Sequence, residues 1–399
     1  MRLLIANTHR RLVGGIETYL RSLLPALVKR GHEVAFLHER TASGDRGTVD
    51  EWAPGLSTFD AQRGGVAAAL AWAREQRPDV CFIMGLHGTA LEEGLLGVAP
   101  SVLFAQVYHG GCISGFKRYA VPTLRPCERA FGPGCLALYY PRRCGGLNPR
   151  SMWREYRAQA RRRAFLPRYH TITVASRWMR REYAGLVLPE ERVVVTPLFP
   201  GGLVPDAQPP APKPVTGRVV MFGRLTPLKG GTLLVRALAE ASRALGRPLS
   251  LEVAGDGEDR GPMEALAKKR GMNVQFVGWA DDARREALLR TADVLAVPSV
   301  WPEPFGMVGV EAGCLGVPAV GFAVGGIPDW LEPGVSGELA PGTPPTVRGL
   351  SEALVRALRD EAHLQTLREG AWRVAQRFTP DAYLERLLPV LRAAAGQAP

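Results

Sequence analysis

A chain of 399 residues is longer than one ordinary domain and suits two of similar size. With 46% hydrophobic and 22% charged residues, and no apolar run near the roughly 18 residues that span a bilayer, the composition excludes a membrane-spanning chain and fits a globular one. The net charge of +12 lies wholly in the first half: residues 1–200 carry 28 Lys and Arg against 16 Asp and Glu, and residues 201–399 carry 22 of each.

In chain order, "MRLLIANTH" reads as a short apolar strand that meets polar residues at once, so it is no signal peptide and the expected compartment is the cytoplasm. "RLVGGIETYL" follows, placing Gly14 and Gly15 in a turn that opens a helix. "HEVAFLHE", "DVCFIMG" and "SVLFAQVYHG" continue the strand pattern. From Ser101 to Arg168 there are 13 basic residues against 2 acidic ones, ending in "RSMWREYRAQARRRAFLPRYH". The stretch suits an anionic partner, or is a solvated helix face. It lacks the interleaved aromatics of a nucleic-acid groove, so no nucleic acid is expected and an anionic membrane surface is preferred, with the protein peripheral at the inner face.

Cys112, Cys127, Cys135 and Cys144 fall in the same region, with spacings x14, x7 and x8 and no Cys-x2-Cys pair. Thiols, a metal set and disulfides all stay open, and the metal is unknown. Cys81 and Cys314 read as core residues.

"VPDAQPPAPKPVTG" has the composition of a proline-rich linker, after which the pattern restarts with "RVVMFGRL", "LSLEVAGDG", "VQFVGW" and "ADVLAVPSV". Strands alternating with helices predict two parallel-sheet α/β domains, with active sites outside the carboxyl ends of the strands and a cleft between the domains. In "FGRLTPLKGG", Arg224 follows a strand and Lys229 precedes a helix, a combination of fixed cations, helix dipole and free N–H groups that suits a phosphate. It is not the P-loop pattern. "PEPFGMVGVEAG" repeats the arrangement: Glu303 at a strand end, Phe305, Gly306, Met307 and Val308 offering N–H groups at a helix start, and Glu311 within an apolar run. A carboxylate there needs partners, and the two hydroxyls of a ribose would serve. Gly325-Gly326 adds a further glycine pair at a strand end. No Asp-x-Asp is placed to hold a metal, and Asp281-Asp282 read as helix-start acids.

Gly-Gly-x-Glu near the start, Gly-Arg-Leu…Lys-Gly, Ala-Gly-Asp-Gly, Val-x-Phe-x-Gly and Glu-Pro-Phe-Gly…Glu, in this order, resemble glycosyltransferase family 4 over nearly the whole chain. The resemblance implies a GT-B fold, two Rossmann-like domains facing across a cleft, and a retaining, nucleotide-sugar-dependent enzyme. It implies that Arg224 and Lys229 bind the donor diphosphate and Glu311 the ribose. Glu303 and the amides of Phe305, Gly306, Met307 and Val308 would face the donor sugar. Gly14 and Gly15 would close over the phosphates, and His109, with His87 as the weaker match, would stand near the sugar. The family's Asn-Gly-Val-Asp after the interdomain strand is replaced here by "TPLFPGG".

The expected layout is an acceptor domain over 1–202 with a cysteine-containing insertion near 112–150, a linker over 203–216, a donor domain over 217–375, and a C-terminal helix over 376–399 that packs back on the first domain. The expected function is transfer of a sugar from a nucleoside diphosphate to a glycan or lipid-linked acceptor, in cell-surface or exopolysaccharide synthesis. No cofactor is expected to be required. The alternatives are a GT-B-type sugar-nucleotide epimerase and a non-catalytic nucleotide-sugar-binding module.

Overall fold

The computed structural model describes residues 1–40, 47–186 and 188–397. The last two residues of the expected C-terminal segment therefore lie outside the described residues. The chain divides into two compact units, one comprising 1–117, 128–201 and 380–399, the other 118–127 and 202–379.

The strands, in chain order, are β1 (Arg2–His9), β2 (Glu33–Arg40), β3 (Ser57–Asp60), β4 (Val80–Met84), β5 (Ser101–Ala105), β6 (Arg118–Tyr119), β7 (Arg125–Pro126), β8 (Thr171–Val174), β9 (Val193–Val195), β10 (Arg218–Phe222), β11 (Ser250–Ala254), β12 (Asn273–Gly278), β13 (Val294–Val297), β14 (Ala319–Phe322) and β15 (Gly337–Ala340). The first unit holds a seven-stranded parallel sheet in the order β3-β2-β1-β4-β5-β8-β9. Its central strands are buried on both faces, which is why they read as unbroken apolar runs. The helix Pro380–Ala394 belongs to this unit, where the Tyr383 hydroxyl meets that of Tyr19 at 2.5 Å and Asp381 pairs with Arg30.

The second unit holds a six-stranded parallel sheet, β12-β11-β10-β13-β14-β15, the doubly wound order in which the sequence reverses between β10 and β13. Loops leaving β10 and β13 therefore diverge to opposite faces and open a crevice at their carboxyl ends. The antiparallel hairpin β6–β7, inside the expected insertion, is grouped with this unit.

The proline-rich stretch, expected as a linker, is a strap held by hydrogen bonds. It lies against the second unit: Asp206 N–H donates to the Cys314 carbonyl, Gln365 donates to the Pro210 carbonyl, and Lys213 Nζ donates to the Arg290 and Ala292 carbonyls. Its end is fixed by buried Asp293, which accepts from Thr216 and Gly217 N–H at 2.7 Å and from the buried Arg368 guanidinium at 2.9 Å. Proline removes backbone donors but also lowers the entropy lost when an extended strap is ordered.

Candidate functional site

In the second unit β10 runs out at Phe222 into Gly223-Arg224-Leu225. Arg224 is exposed there and makes no ion pair among the described residues. The turn closes on Gly230, whose φ of +67° suits glycine and whose absent Cβ would stand 2.0 Å from the Pro298 carbonyl in the loop after β13. Val300 N–H donates to the Leu228 carbonyl at 2.9 Å, so the loops after β10 and β13 are tied together at the crevice. Gly255 and Gly257 of "AGDG" lie against the Gly223 and Leu225 carbonyls and would strike them with any side chain.

This backbone frame brings Lys229 to Glu303. Lys229 Nζ lies 2.5 Å from Glu303 Oε1, which also accepts from Ser299 Oγ at 2.6 Å and Trp301 Nε1 at 2.9 Å. Glu303 is 5% exposed, and three donors on one oxygen fix the carboxylate in place. Its backbone is fixed from behind: Gly326 N–H donates to the Glu303 carbonyl at 2.7 Å, and Gly325, at φ +56°, sits where a Cβ would be 2.2 Å from that oxygen.

Phe305 is buried, Gly306 turns the chain at φ +87°, and Met307 opens the helix Met307–Cys314, whose first N–H groups have no partner within the helix. Trp330 Nε1 donates to the Phe305 carbonyl at 2.6 Å, and its ring fills the space beside Gly309. Glu311, 4% exposed, is ion-paired with Arg285, which lies over the Phe222 ring. Arg224, Lys229, Glu303, Phe305, Gly306, Met307 and Val308 thus all stand on loops or helix starts at the carboxyl end of one sheet, and Glu311 within the helix that follows. Ser299, Trp301, Trp330 and Arg285 were not singled out in the sequence, because nothing in their spacing links them to the two glutamates. Asp281 caps its helix by accepting from Arg284 N–H at 2.8 Å.

The first unit carries the remaining candidates. Gly14 is the N-cap of the helix Gly15–Lys29, with an extended φ of −163° that any residue adopts; the turn does not need its conformational freedom. The loop is held instead by buried Glu17, which accepts from Gly14 N–H at 2.9 Å and from Asn7 Nδ2 at 3.2 Å. Burial raises the Glu17 pKa against the hydrogen bonds that lower it.

His87 and His109 follow β4 and β5. The His87 and Gly88 N–H groups donate to Glu39, while the Leu86 and His87 carbonyls accept from Arg162 Nη2 at 2.5 and 2.8 Å. The His109 carbonyl accepts from the Tyr183 hydroxyl at 3.1 Å, and Gly110 N–H donates to Gln159 at 2.7 Å. Burial, then the charges of Arg162 and His87, push the His109 pKa down to about 3, so its imidazole is neutral. His87 is lowered too, chiefly by burial.

Both histidine loops therefore hang on the arginine-rich helix Pro149–Phe165. The solvated or anion-facing surface expected of the stretch from Ser101 to Arg168 therefore does not include Arg162 and Arg163. Arg162 is 3% exposed and pairs with Glu92 at 2.8 Å, Arg161 pairs with Glu93, and Arg163 donates to the Phe131 and Leu186 carbonyls. Lys117, at the start of the stretch, is also buried, against Glu182 at 2.7 Å. What faces solvent is a stripe of Arg150, Trp153, Arg154, Arg157 and Arg161 along the same helix, near exposed Leu147 in sequence.

None of the six cysteines is in a disulfide. Cys112 Sγ accepts from Lys117 N–H at 3.3 Å, and Cys144 contacts the Leu138 carbonyl. Among the described residues no group of three or more His, Cys, Asp or Glu side chains is placed to hold a metal ion. No helix among them is long and apolar enough to cross a membrane.

Comparison with known proteins gives the lineage. The family described as "Glycosyl transferases group 1" matches residues 208–373, and "Glycosyl transferase 4-like domain" matches residues 14–198. The D-inositol 3-phosphate glycosyltransferase of Salinispora arenicola is 38% identical over 188 residues, 44% of this chain and 41% of that one. The 2-deoxystreptamine glucosyltransferase of Streptomyces kanamyceticus is 32% identical over 235 residues, 52% of this chain and 60% of that one. Each match thus takes in less than two thirds of the relative's length. Among solved structures, Anabaena HepE with UDP and glucose has a TM-score of 0.70 at 19% identity, covering 98% of this chain and 100% of that one. Sucrose-phosphate synthase from Thermosynechococcus elongatus has a TM-score of 0.70 at 20% identity, covering 98% of each. With two doubly wound parallel sheets and both family descriptions matched along its length, the chain belongs to glycosyltransferase family 4 and has the GT-B fold.

Proposed function

We propose that the protein is a retaining glycosyltransferase that moves a sugar from a nucleoside-diphosphate sugar to a glycan or lipid-linked acceptor, in the synthesis of cell-surface or exported polysaccharide. The observation that carries this reading is the Lys229–Glu303 pair at the crevice between β10 and β13, beside an open helix start and a buried second carboxylate, Glu311. Solved relatives of this fold hold UDP and a sugar.

In the reaction the bond from the anomeric carbon to the diphosphate oxygen breaks, and one to the acceptor oxygen forms. Negative charge grows on the leaving diphosphate. Lys229, exposed Arg224 and the N–H groups at Gly306, Met307 and Val308 meet that charge, so the protein itself supplies what a divalent metal supplies elsewhere, and no cofactor is required. Glu303, held by Ser299 and Trp301 through Oε1, turns its other oxygen to a hydroxyl of the donor sugar. The acceptor approaches from the face the leaving group departs, and its proton passes to the departing phosphate oxygen. No protein nucleophile is needed. In the first domain, the imidazole of His109 is neutral and can offer a hydrogen bond without adding a positive charge.

The test is a thermal-shift panel of nucleoside diphosphates, because a ligand that binds only the native state raises the melting point. No shift with any of them would end this reading. A second reading of the acceptor is favoured by the relatives' names: inositol 3-phosphate and 2-deoxystreptamine are both cyclic polyhydroxylated molecules. Transfer to a small cyclic acceptor but not to a lipid-linked one would select it.

A further inference from the structure

Glu311 lies inside the helix Met307–Cys314, and its side chain is 5% exposed. A carboxylate so enclosed must have a partner or neutralise. Its partner is Arg285 Nη2, from the helix Asp282–Thr291. The guanidinium lies over the Phe222 ring, 5.7 Å from its centroid, at the carboxyl end of β10. The arginine side chain is 19% exposed, so it is the more open member of the pair. A second carboxylate waits one helical turn back: Asp282, 48% exposed, stands 3.9 Å from Arg285 Nη1.

We propose that Arg285 is an internal stand-in for the ribose of the nucleotide. The proposal rests on the nucleotide-sugar reading of this site and adds a residue and an exchange to it. In the free protein Arg285 keeps Glu311 satisfied. When a nucleotide binds, the two vicinal ribose hydroxyls donate to Glu311, and Arg285 moves from the buried carboxylate to the exposed one. The exchange costs little only if the incoming groups can hydrogen-bond. A nucleotide without the 2′ and 3′ hydroxyls would leave Glu311 unpaired and so cannot displace the arginine, because a buried polar group penalises the analogue that fails to pair it. Glu311 thereby carries the preference for a ribonucleotide, and Arg285 lowers the apparent affinity for it, as any state that must first be left behind does.

The experiment uses the full chain, with calorimetric titration of UDP, GDP and ADP and of their 2′,3′-dideoxy counterparts. The variants are Arg285→Met, Arg285→Lys and Glu311→Gln. Removing the internal competitor in Arg285→Met should tighten the preferred ribonucleoside diphosphate about three- to tenfold and leave the dideoxy form unchanged, widening the ratio between them. Arg285→Lys should return that ratio towards the parent's. Weaker ribonucleotide binding by Arg285→Met would overturn the proposal by making the arginine a direct support. An equal change in both forms would overturn it by making the effect structural, as would a lysine variant that behaves like the methionine one. Glu311→Gln separates the two layers: it should erase the ribo-to-dideoxy preference. If the preference survives in Glu311→Gln, or the parent binds no nucleoside diphosphate, the site reading itself fails and the stand-in with it.

Discussion

Lys229 and Glu303 come from loops 74 residues apart in the chain, yet their charged atoms meet at 2.5 Å across the reversal point of the second sheet. The pair holds each member ready. The lysine can turn to an arriving phosphate because Glu303 keeps Ser299 and Trp301 when it leaves. Lys229→Ala should therefore weaken nucleoside-diphosphate binding without collapsing the loop. Losing one charge-assisted hydrogen bond costs about 1.5–3 kcal/mol, or roughly ten- to a hundredfold in affinity. Titration calorimetry measures it, and an unchanged affinity would take Lys229 out of the site.

Arg162 and Glu92 pair deep in the first domain, and removing the guanidinium leaves a buried carboxylate with only the Tyr169 hydroxyl, at 2.9 Å. Breaking a buried pair from one side costs about 3–5 kcal/mol. Arg162→Gln should lower stability by that order in denaturant unfolding and loosen the Leu86 and His87 carbonyls. Arg161→Gln, whose side chain is 53% exposed, should have almost no effect. Equal effects of the two substitutions would contradict the placement of Arg162.

The strand ends at the crevice were readable because their signals are local. An apolar run followed by "GRLTPLKGG" or "PEPFGMVGVEAG" declares a strand, a turn and a helix start within a dozen residues, and the structure places Arg224, Lys229, Glu303 and Glu311 accordingly. What supports those residues was not readable. Ser299 and Trp301 look like the end of a buried strand, and Arg285 like one more arginine on a surface helix. Arg162 reaches Glu92 across 70 residues, which no local pattern encodes. Short strands such as Val193–Val195 carry too few residues for a period, and proline content concealed a strap whose hydrogen-bond partners are distant in sequence. Composition speaks of a segment's own freedom, not of what lies beneath it.

His109 provides a pH signature. Its folded pKa of about 3 lies below the ordinary value of 6.5, so between these the unfolded chain binds more protons than the folded one. The stability this group contributes is complete above about pH 6.5 and is lost as the pH falls towards 3. His109→Asn cannot titrate. The stability difference between parent and variant should be flat above about pH 7 and shrink or reverse towards pH 4. Glu17 and Glu92, both raised by burial, act in the opposite sense but in both proteins alike, so the difference isolates the histidine. Denaturation midpoints measured across this range check it; parallel curves would mean that His109 is not held neutral.

If protein cations carry the leaving-group charge, transfer should survive a chelator. Activity measured after EDTA treatment should stay within about twofold of the untreated enzyme. Complete loss, restored by magnesium or manganese, would mean that a metal, rather than Lys229 and Arg224, stabilises the leaving diphosphate.

The anionic-surface expectation now rests on different residues. Arg162 and Arg163 are engaged inside the first domain, whereas Arg150, Arg154 and Arg157 face solvent along one stripe with Trp153, which is 51% exposed and stacked on Tyr156, and exposed Arg161 pairs with Glu93. Arginines flanking an exposed indole suit the boundary between anionic headgroups and acyl chains. Each such charge near an anionic bilayer contributes about 1 kcal/mol, falling off within a Debye length. Exchanging Arg150, Arg154 and Arg157 for Gln should therefore weaken binding to phosphatidylglycerol vesicles by at least about tenfold, and added salt should do the same to the parent. Trp153→Ala should weaken binding in a salt-independent way, because it removes apolar contact and no charge. Nucleoside-diphosphate affinity should stay at the parent value in both variants, since Arg224 and Lys229, proposed to meet the phosphates, belong to the other domain. Equal binding of the parent to neutral and anionic vesicles would leave these arginines a solvated face, and the small cyclic acceptor would then be the stronger reading.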